Sequence, residues 1–572
     1  MIFNFNYFLI LDKFGGERDT HTHMHGCHLQ ESSSIPVDEL GPHCSRMRPV
    51  NKPPLSASSS ACNPRQPTPM MHKLACFRPL PVAAFALCFC FVAWLSELGS
   101  LASSQDSVFS RNTEFDIRQI QLLDWMNGDS RINASWESGL NDTYHPRPTL
   151  VEALAHARSL SFRFDQRDFV QLAQRTRTLL ILLRISMNQI YTPYLDHNET
   201  RAVVEEMTRL LKHGNRDIIE RVTRSLFPWM QPTFSSIQQM HNEALNSKED
   251  WSIVITGGPQ HVHLVHHLIT SLRFLHNVSE PIHLYMTLPP SHTKHPLTTL
   301  PNVTIHDPTF IFPRATQSAT GWGLKPYALL SAPSRRVLLL DADIVPLQNL
   351  LTAVQRHAAW LAHSVLLFRD RRIHEPRFTS GPQLLRSMTP SLTPYARTLG
   401  YTHNHGETHA MESGFLALDK SNLPLLVSLL LAAAMNTAPA SATLYARTYG
   451  DKESYWFAME TLRVPYAFHP AYGSCVGNRV AAGRVCGIAL LQVDADGEGI
   501  YWNGGITRDR SVLEGQFLEL DGVVVDSKGE VVWSEGHCAT GEVRNLTASE
   551  VKVVERLKEL YLKCVIELKG VE

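Results

Sequence analysis

The sequence lacks an excess of charge of either sign: 53 Lys and Arg stand against 54 Asp and Glu in 572 residues, a formal net charge of −1. Without a broad basic field the chain has nothing with which to hold a run of phosphates, so nucleic-acid binding is excluded as a function class. Charged residues make up only 19% of the chain and hydrophobic ones 44%. That apolar share rules out disorder throughout, because it can bury enough surface to offset chain entropy. Cysteine is scarce too, ten in all with six before position 91, which is too few for a disulfide scaffold. What remains is a folded chain of several domains, or one large α/β domain with appendages.

The first hundred residues set the compartment. Residues 1–69 carry six basic and six acidic side chains without periodicity and end in a Pro- and Ser-rich stretch, which reads as a disordered tail. Met70 and Met71 open a segment that also reads as a start, making the preceding residues a gene-model extension. Residues 79–96 are 18 positions without a charge, preceded by His72, Lys73 and Arg78 and closed by Glu97. Such a run is just long enough to cross hydrocarbon, and its basic flank stays cytosolic. The expected plan is a tail over 1–78, a transmembrane signal anchor over 79–97 and a stem over 98–149. A helical accessory region follows over 150–246 and a catalytic domain over 247–572. A cleaved signal peptide is the alternative to the anchor.

Two features agree with a luminal head. Six N-glycosylation sequons, at Asn133, Asn141, Asn198, Asn277, Asn302 and Asn545, all follow the apolar run. The late cysteines, Cys475, Cys486, Cys538 and Cys564, would lie in an oxidising space where pairing is expected. Cys475 with Cys486 and Cys538 with Cys564 is one of three connectivities, among which sequence does not choose.

From Trp251 the pattern becomes α/β. SIVIT (252–256) is a β-rich run ending in Gly257 and Gly258; a helical segment follows to about Leu275, then apolar runs over 282–286 and 303–306, a helix over 325–331 and a strand over 337–340. Strands alternating with helices predict a parallel-type sheet, and glycines after a strand let a nucleotide approach the backbone. His263 and His267 are four apart on the helical segment, but no carboxylate accompanies them, so they read as ordinary helix histidines.

The string RRVLLLDADIVPLQNL (335–350) carries the clearest chemistry. A buried strand ends in Asp341 and Asp343, and alternation along an extended chain would turn both carboxylates to one side, to hold a divalent cation that bridges two phosphates. Such a cation neutralises a leaving diphosphate. A capped strand end is the bland counterpart. The second D-x-D, Asp494 to Asp496, is followed by Gly497 and Gly499 and reads as a hairpin turn without metal. A haloacid-dehalogenase-type phosphatase would need a later apolar run with an Asp-Asp pair, which Gly450-Asp451-Lys452-Glu453 does not supply.

These strings together resemble the fungal Golgi α-1,3-mannosyltransferase family: IVITGG and SLRFL, GWGLKPYALLSAPSRRVLLLDADIVPL, FRD, ESGFLALDK, GDKESYWFA, and CG followed by YWNGG, in that order over about residues 251–505. The resemblance implies an α/β, GT-A-like nucleotide-sugar transferase with a Rossmann-like mixed sheet, carried behind a transmembrane helix and a helical stem region. It further implies a type II single-pass Golgi membrane enzyme, with itself or another chain as an oligomeric partner. The reaction implied is transfer of mannose from GDP-mannose, with retention, to a mannosylated glycan.

On this resemblance Asp341 and Asp343 hold Mn²⁺ and the diphosphate, Lys325 meets a phosphate or ribose, and Gly257 and Gly258 lie against the guanosine end. Glu412, Asp451 and Glu453 are the candidate catalytic carboxylates. Helix capping is the equal alternative for Asp451 and Glu453. A C-terminal histidine is expected near position 492 to complete the metal shell; Gln492 stands there, and His469 is the substitute. Two other functions remain open: a GT-A transferase using a UDP-hexose, and a luminal glycan-binding protein without turnover.

Overall fold

A computed structural model describes residues 164–187, 208, 216–287, 296–316, 321–389, 391–403, 406–534 and 536–570. The tail, anchor and stem expected over 1–149 lie outside the described residues, as does the sequon at Asn198. Among the described residues no helix is long and apolar enough to cross a membrane.

The described residues before the first strand include helices α1 (Phe169–Ser186), α2 (Arg216–Leu226) and α3 (Ile237–Leu245). An α/β part follows with β1 (Trp251–Thr256), α4 (Val262–Thr270), β2 (Ile282–Tyr285), β3 (Val303–His306), α5 (Lys325–Ser331), β4 (Arg336–Asp341), β5 (Ile344–Pro346), α6 (Leu350–Arg356) and β6 (Val365–Arg369). It continues through β7 (Met411–Asp419), α7 (Leu423–Met435) and α8 (Ser454–Leu462). The last part is β8 (Ser474–Ala481), β9 (Arg484–Val493), β10 (Gly499–Asn503), β11 (Gly522–Val524), β12 (Val532–Ser534), β13 (Cys538–Thr540), β14 (Val543–Arg544) and α9 (Ala548–Lys569).

The first sheet has the order β3-β2-β1-β4-β7-β6. Its first four strands run parallel, whereas β7 is antiparallel to both β4 and β6, so the sheet is mixed. Its central strands carry continuous apolar runs, Ile253–Ile255 of β1, Val337–Leu340 of β4 and Phe415–Leu418 of β7, because both faces are covered. Val337 and Leu339 of β4 enter the core formed with α1, α5, α7 and α8. Leu338 and Leu340 face the opposite core, with α4 and α6. Helix α7, apolar except for Ser428, follows the same logic: almost every side chain is buried, from Leu423 to Met435.

The helices before β1 have no core of their own. Phe169 to Ile185 of α1 share one cluster with Leu339, Leu416 and Trp456. Arg177 is buried there, donates to the Met388 carbonyl at 2.7 Å, and is driven down to about 9 by burial.

The second sheet is antiparallel and packs on α9 through Val476, Leu491, Val554, Leu557 and Tyr561. β5 leaves the first sheet and joins this one by pairing with β10. Cys486 and Cys538 face each other on β9 and β13 and form a disulfide, whereas Cys475 and Cys564 are buried free thiols. The pairing used as an example from sequence is therefore replaced: the covalent link joins cross-strand neighbours 52 residues apart. Asp494 to Gly499 turns from β9 to β10, with the Asp494 carboxylate accepting the amides of Asp496 and Glu498 at 3.0 Å, so the second D-x-D is a hairpin turn. The sequon asparagines Asn277, Asn302 and Asn545 are exposed.

Candidate active site

Strand order places the cleft. From β1 the chain steps outward to β2 and β3, then returns to lay β4 on the other side of β1. Connections that diverge in this way open a crevice at the carboxyl ends of the two strands, where ligands of open α/β sheets bind. Thr256 and Asp341 are register partners at that edge. Gly257 and Gly258 therefore line one lip, and the acidic pair lines the other. The Gly257 amide extends the ladder to the Tyr285 carbonyl at 3.2 Å, and the Gly258 amide donates to Nδ1 of His261 at 3.2 Å.

The acidic pair lies where the chain passes from one sheet to the other. Ala342 and Asp343 form a turn, so the strand-type alternation expected from sequence does not operate. Asp341 closes β4 and Ile344 opens β5, which is also why Ile344 is apolar: it is 1% exposed and pairs with Asn503. The Asp343 carbonyl accepts the amides of Gly504 and Gly505 at 3.2 and 2.7 Å. Both glycines have positive φ, so the loop after β10 clamps the turn with backbone that side-chain-bearing residues rarely adopt.

Each carboxylate has a cationic partner. Lys325, the first residue of α5, reaches the two oxygens of Asp341 at 2.8 and 2.9 Å, the Ser413 carbonyl at 3.3 Å and Asp451 at 3.8 Å. Burial alone would lower the Lys325 ammonium, but Asp341, Asp451 and Glu412 outweigh it and raise it, so the lysine is a fixed positive charge. Burial raises the Asp341 carboxyl; Lys325 opposes the rise, and the charges of Asp343 and Glu412 add to it. Asp343 pairs with Arg510 from beyond β10. His261 is within electrostatic reach: burial lowers it, Asp343 pulls it up, and Arg510 pushes it down.

Glu412 arrives because β7 runs antiparallel to β4, which brings the start of β7 beside the end of β4, with Leu340 opposite Phe415. It is 3% exposed and held by three donors: the Gly414 amide at 2.7 Å, Asn503 at 2.8 Å and the Tyr501 hydroxyl at 3.0 Å. Burial raises its carboxyl despite these bonds. Tyr501 is fixed by stacking on Phe415, 4.8 Å between centroids. A Cβ at Gly414 would meet Asn503 at 2.5 Å, Glu412 at 2.7 Å and Asp341 at 3.2 Å, so only glycine fits between the two carboxylates.

Asp451 and Glu453 part company. Asp451 accepts from Ser413 at 3.2 Å and from Tyr455 at 3.0 Å and joins the Lys325 cluster. Glu453 turns the other way, accepting the Ala410 amide at 3.0 Å and the Trp456 indole. Burial raises its carboxyl to about 7. Neither its contacts nor a helix-capping bond connects it with the cleft, so here it is an internal brace. Between them Lys452 pairs with the buried Asp370 at the end of β6. Burial would raise Asp370, but Lys452, Arg371 and His409 bring it down to about 2.

The histidines singled out from sequence lie elsewhere. His469 bonds Nδ1 to Nε2 of His357 at 2.9 Å and stacks on Phe368 at 5.0 Å, and burial followed by His357 holds it down to about 4. The structure does not bring it to Asp341 and Asp343. Gln492 donates to the Arg369 carbonyl at 2.8 Å. His263 and His267 pack edge-on against Tyr561 of α9, and His267 contacts the Leu557 carbonyl at 3.0 Å, so they are packing residues between helices.

Sequence reasoning assigned no role to Arg510, Ser413, Tyr501, Asn503, Lys452 or Asp370. The strings FRD, ESG and YWNGG contain most of them, but their partners stand 38 to 167 residues away, so no local spacing reveals the pairing.

The donor set suits a hard divalent cation. Asp341 and Asp343 offer carboxylate oxygens with Glu412 close by; burial raises Asp341 most and the neighbouring negative charges add to it, and a bound cation would offset both. No three His, Cys, Asp or Glu side chains are grouped as a metal site among the described residues. The remaining ligands would therefore be substrate oxygens and water.

A switch-point cleft with glycines on one lip, an acidic pair with a buried lysine on the other, and a braced carboxylate between them suits an α/β glycosyltransferase. Residues 252–494 match the model of the family described as "Mannosyltransferase putative". The match takes in Lys325, Asp341, Asp343, Glu412 and Asp451, and it supports a mannosyltransferase family, with a sugar donor and a glycan acceptor. Arg510 and the two side-chain partners of Glu412, Tyr501 and Asn503, lie past its end. No curated protein matches the chain.

Proposed function

We propose that the protein transfers mannose from GDP-mannose to a mannosylated glycan, with retention, on a GT-A-like head facing the Golgi lumen behind a single type II anchor. The observation that carries this reading is the Asp341–Lys325–Asp451–Glu412 cluster at the sheet's switch point, inside the segment that matches the family.

In this reading Gly257 and Gly258 give the guanosine end access to the backbone, and Asp341 and Asp343 hold Mn²⁺. The ion, when bound, offsets the charge growing on the departing diphosphate. Lys325 positions Asp341 and keeps a positive charge beneath the phosphates. Arg510 can release Asp343 and pair with a phosphate oxygen instead, since its side chain is half exposed. Glu412, fixed by three donors, sets a negative charge where the sugar becomes oxocarbenium-like or accepts a bond from the acceptor hydroxyl. Asp451 and Ser413 keep the lysine in register.

GDP binding tests this directly. Calorimetry should show GDP affinity that depends on Mn²⁺ and vanishes in Asp343→Ala; unchanged affinity in the variant would sink the metal assignment. A UDP-hexose as donor is the second reading, because an acidic pair recognises the diphosphate and not the sugar.

A further inference from the structure

Two large aromatic side chains remain open to solvent beside the carboxylate cluster. Trp322 is 47% exposed and Tyr449 is 36% exposed, although most aromatic rings of the head are buried. They come from separate segments, the turn Gly321–Leu324 before α5 and the loop before Asp451, yet their ring centroids are 5.5 Å apart. Neither hangs loosely. Trp322 lies on the backbone of Gly450, where a Cβ would strike the indole at 2.6 Å and where φ is +64°, and it meets Tyr445 edge-on at 6.4 Å. Tyr449 is braced by Phe378 at 5.8 Å and His409 at 5.9 Å, with the Lys452 ammonium 5.1 Å from its centroid.

Position in the fold says what this patch faces. The nucleotide crevice lies between β1 and β4, whereas residues 449–452 cover the other half of the sheet, Asp451 against Ser413 of β7 and Lys452 against Asp370 beyond β6. Rigid exposed rings next to buried ionic groups fit a ligand with one apolar face and a rim of hydroxyls. A hexopyranose has that build: its axial C–H bonds cover an aromatic face while its hydroxyls reach charged groups. Rings already fixed in place lose little freedom on binding, which favours them as a platform.

We propose that Trp322 and Tyr449 form the acceptor platform, on which the accepting hexopyranose of the glycan stacks with its hydroxyls toward the Asp370–Lys452 pair. This rests on the transferase reading above only for which substrate the sugar is. Sugar binding can be tested separately. Saturation-transfer NMR with α-linked mannobiose and no nucleotide should show transfer from the aromatic protons to the sugar ring in the wild-type chain. The signal should be lost in Trp322→Ala and largely kept in Trp322→Phe. In transfer assays Trp322→Ala should raise KM for mannobiose at least ten-fold while the donor KM moves less than two-fold, with circular dichroism confirming the fold. Absence of the NMR signal in wild type, or its survival in Trp322→Ala, overturns the platform. Equal rises in both KM values overturn its assignment to the acceptor. A wild-type chain that shows the NMR signal but turns over no GDP-mannose refutes the mannosyl donor and leaves the platform standing.

Discussion

At the scale of single residues, the cluster sorts carboxylates that the sequence offered as equals. Glu412 and Asp451 belong to the cluster around Lys325 and Asp341, and Glu453 braces Ala410 and Trp456. Glu412→Gln should therefore reduce kcat by roughly 10²-fold or more, as expected for loss of one oriented charge. Glu453→Gln should leave kcat nearly intact while lowering the unfolding free energy by about 1–3 kcal/mol, a cost that the buried, hydrogen-bonded Glu412 shares. Parallel denaturant melts and steady-state rates separate the two. Reading "acidic residue at a helix start" gave the same expectation for Asp451 and Glu453, because the direction of each side chain is set by Ser413, Ala410 and Lys325, far away in sequence.

Asp370 carries a pH prediction with a defined sign. Its carboxyl is brought down to about 2 from an ordinary value near 3.8, so the fold binds the charged form more tightly than the unfolded chain does. The resulting stabilisation, about 2 kcal/mol, is complete above about pH 4 and is lost as the pH falls toward 2. Urea midpoints across pH 2–7 should converge for wild type and Asp370→Asn at the acid end and stay apart at neutrality. A constant gap would count against the ion pair with Lys452.

At the scale of elements, local pattern was a good guide wherever an element depends on its own neighbours. The runs at 252–256, 303–306 and 337–340 and the helix at 325–331 are strands and a helix within a residue of where their apolar spacing put them. The Asp494 hairpin was equally readable, since Gly497 takes the positive φ that such a turn requires. What could not be read is pairing between distant segments. The turn at Ala342-Asp343 exists because β5 is drawn into the second sheet by β10, some 155 residues later, and no spacing within DAD announces it. Ile344, buried and paired with Asn503, is the anchor of that crossing. Ile344→Asp should cost roughly 3–5 kcal/mol by burying an unpaired charge and should weaken Mn²⁺-dependent GDP binding, although the side chain touches no phosphate.

At the scale of the whole molecule, neutral charge and few cysteines now have a structural counterpart. Charge is balanced locally: Asp341 with Lys325, Asp343 with Arg510, Asp370 with Lys452 and Glu550 with Arg544. The phosphate recognition proposed for this site needs no basic surface. Among the described residues one disulfide, Cys486 to Cys538, closes a 52-residue span across the second sheet. Chain-entropy reasoning gives it up to about 4 kcal/mol. Peptide mapping without reduction should recover these two cysteines linked and Cys475 and Cys564 unlinked, and reduction should lower the melting temperature. A Cys475-containing crosslink would contradict the cross-strand pairing.

An acidic pair that serves a mannosyl donor at the switch point should reveal itself in the turnover of sugar nucleotides. The purified chain should be incubated with Mn²⁺ and, in turn, GDP-mannose, UDP-glucose, UDP-galactose and UDP-GlcNAc, with release of nucleoside diphosphate measured for wild type and Asp341→Asn. GDP release from GDP-mannose is expected with the wild type and none with the variant. Turnover confined to a UDP sugar, or GDP release that persists in Asp341→Asn, would contradict it.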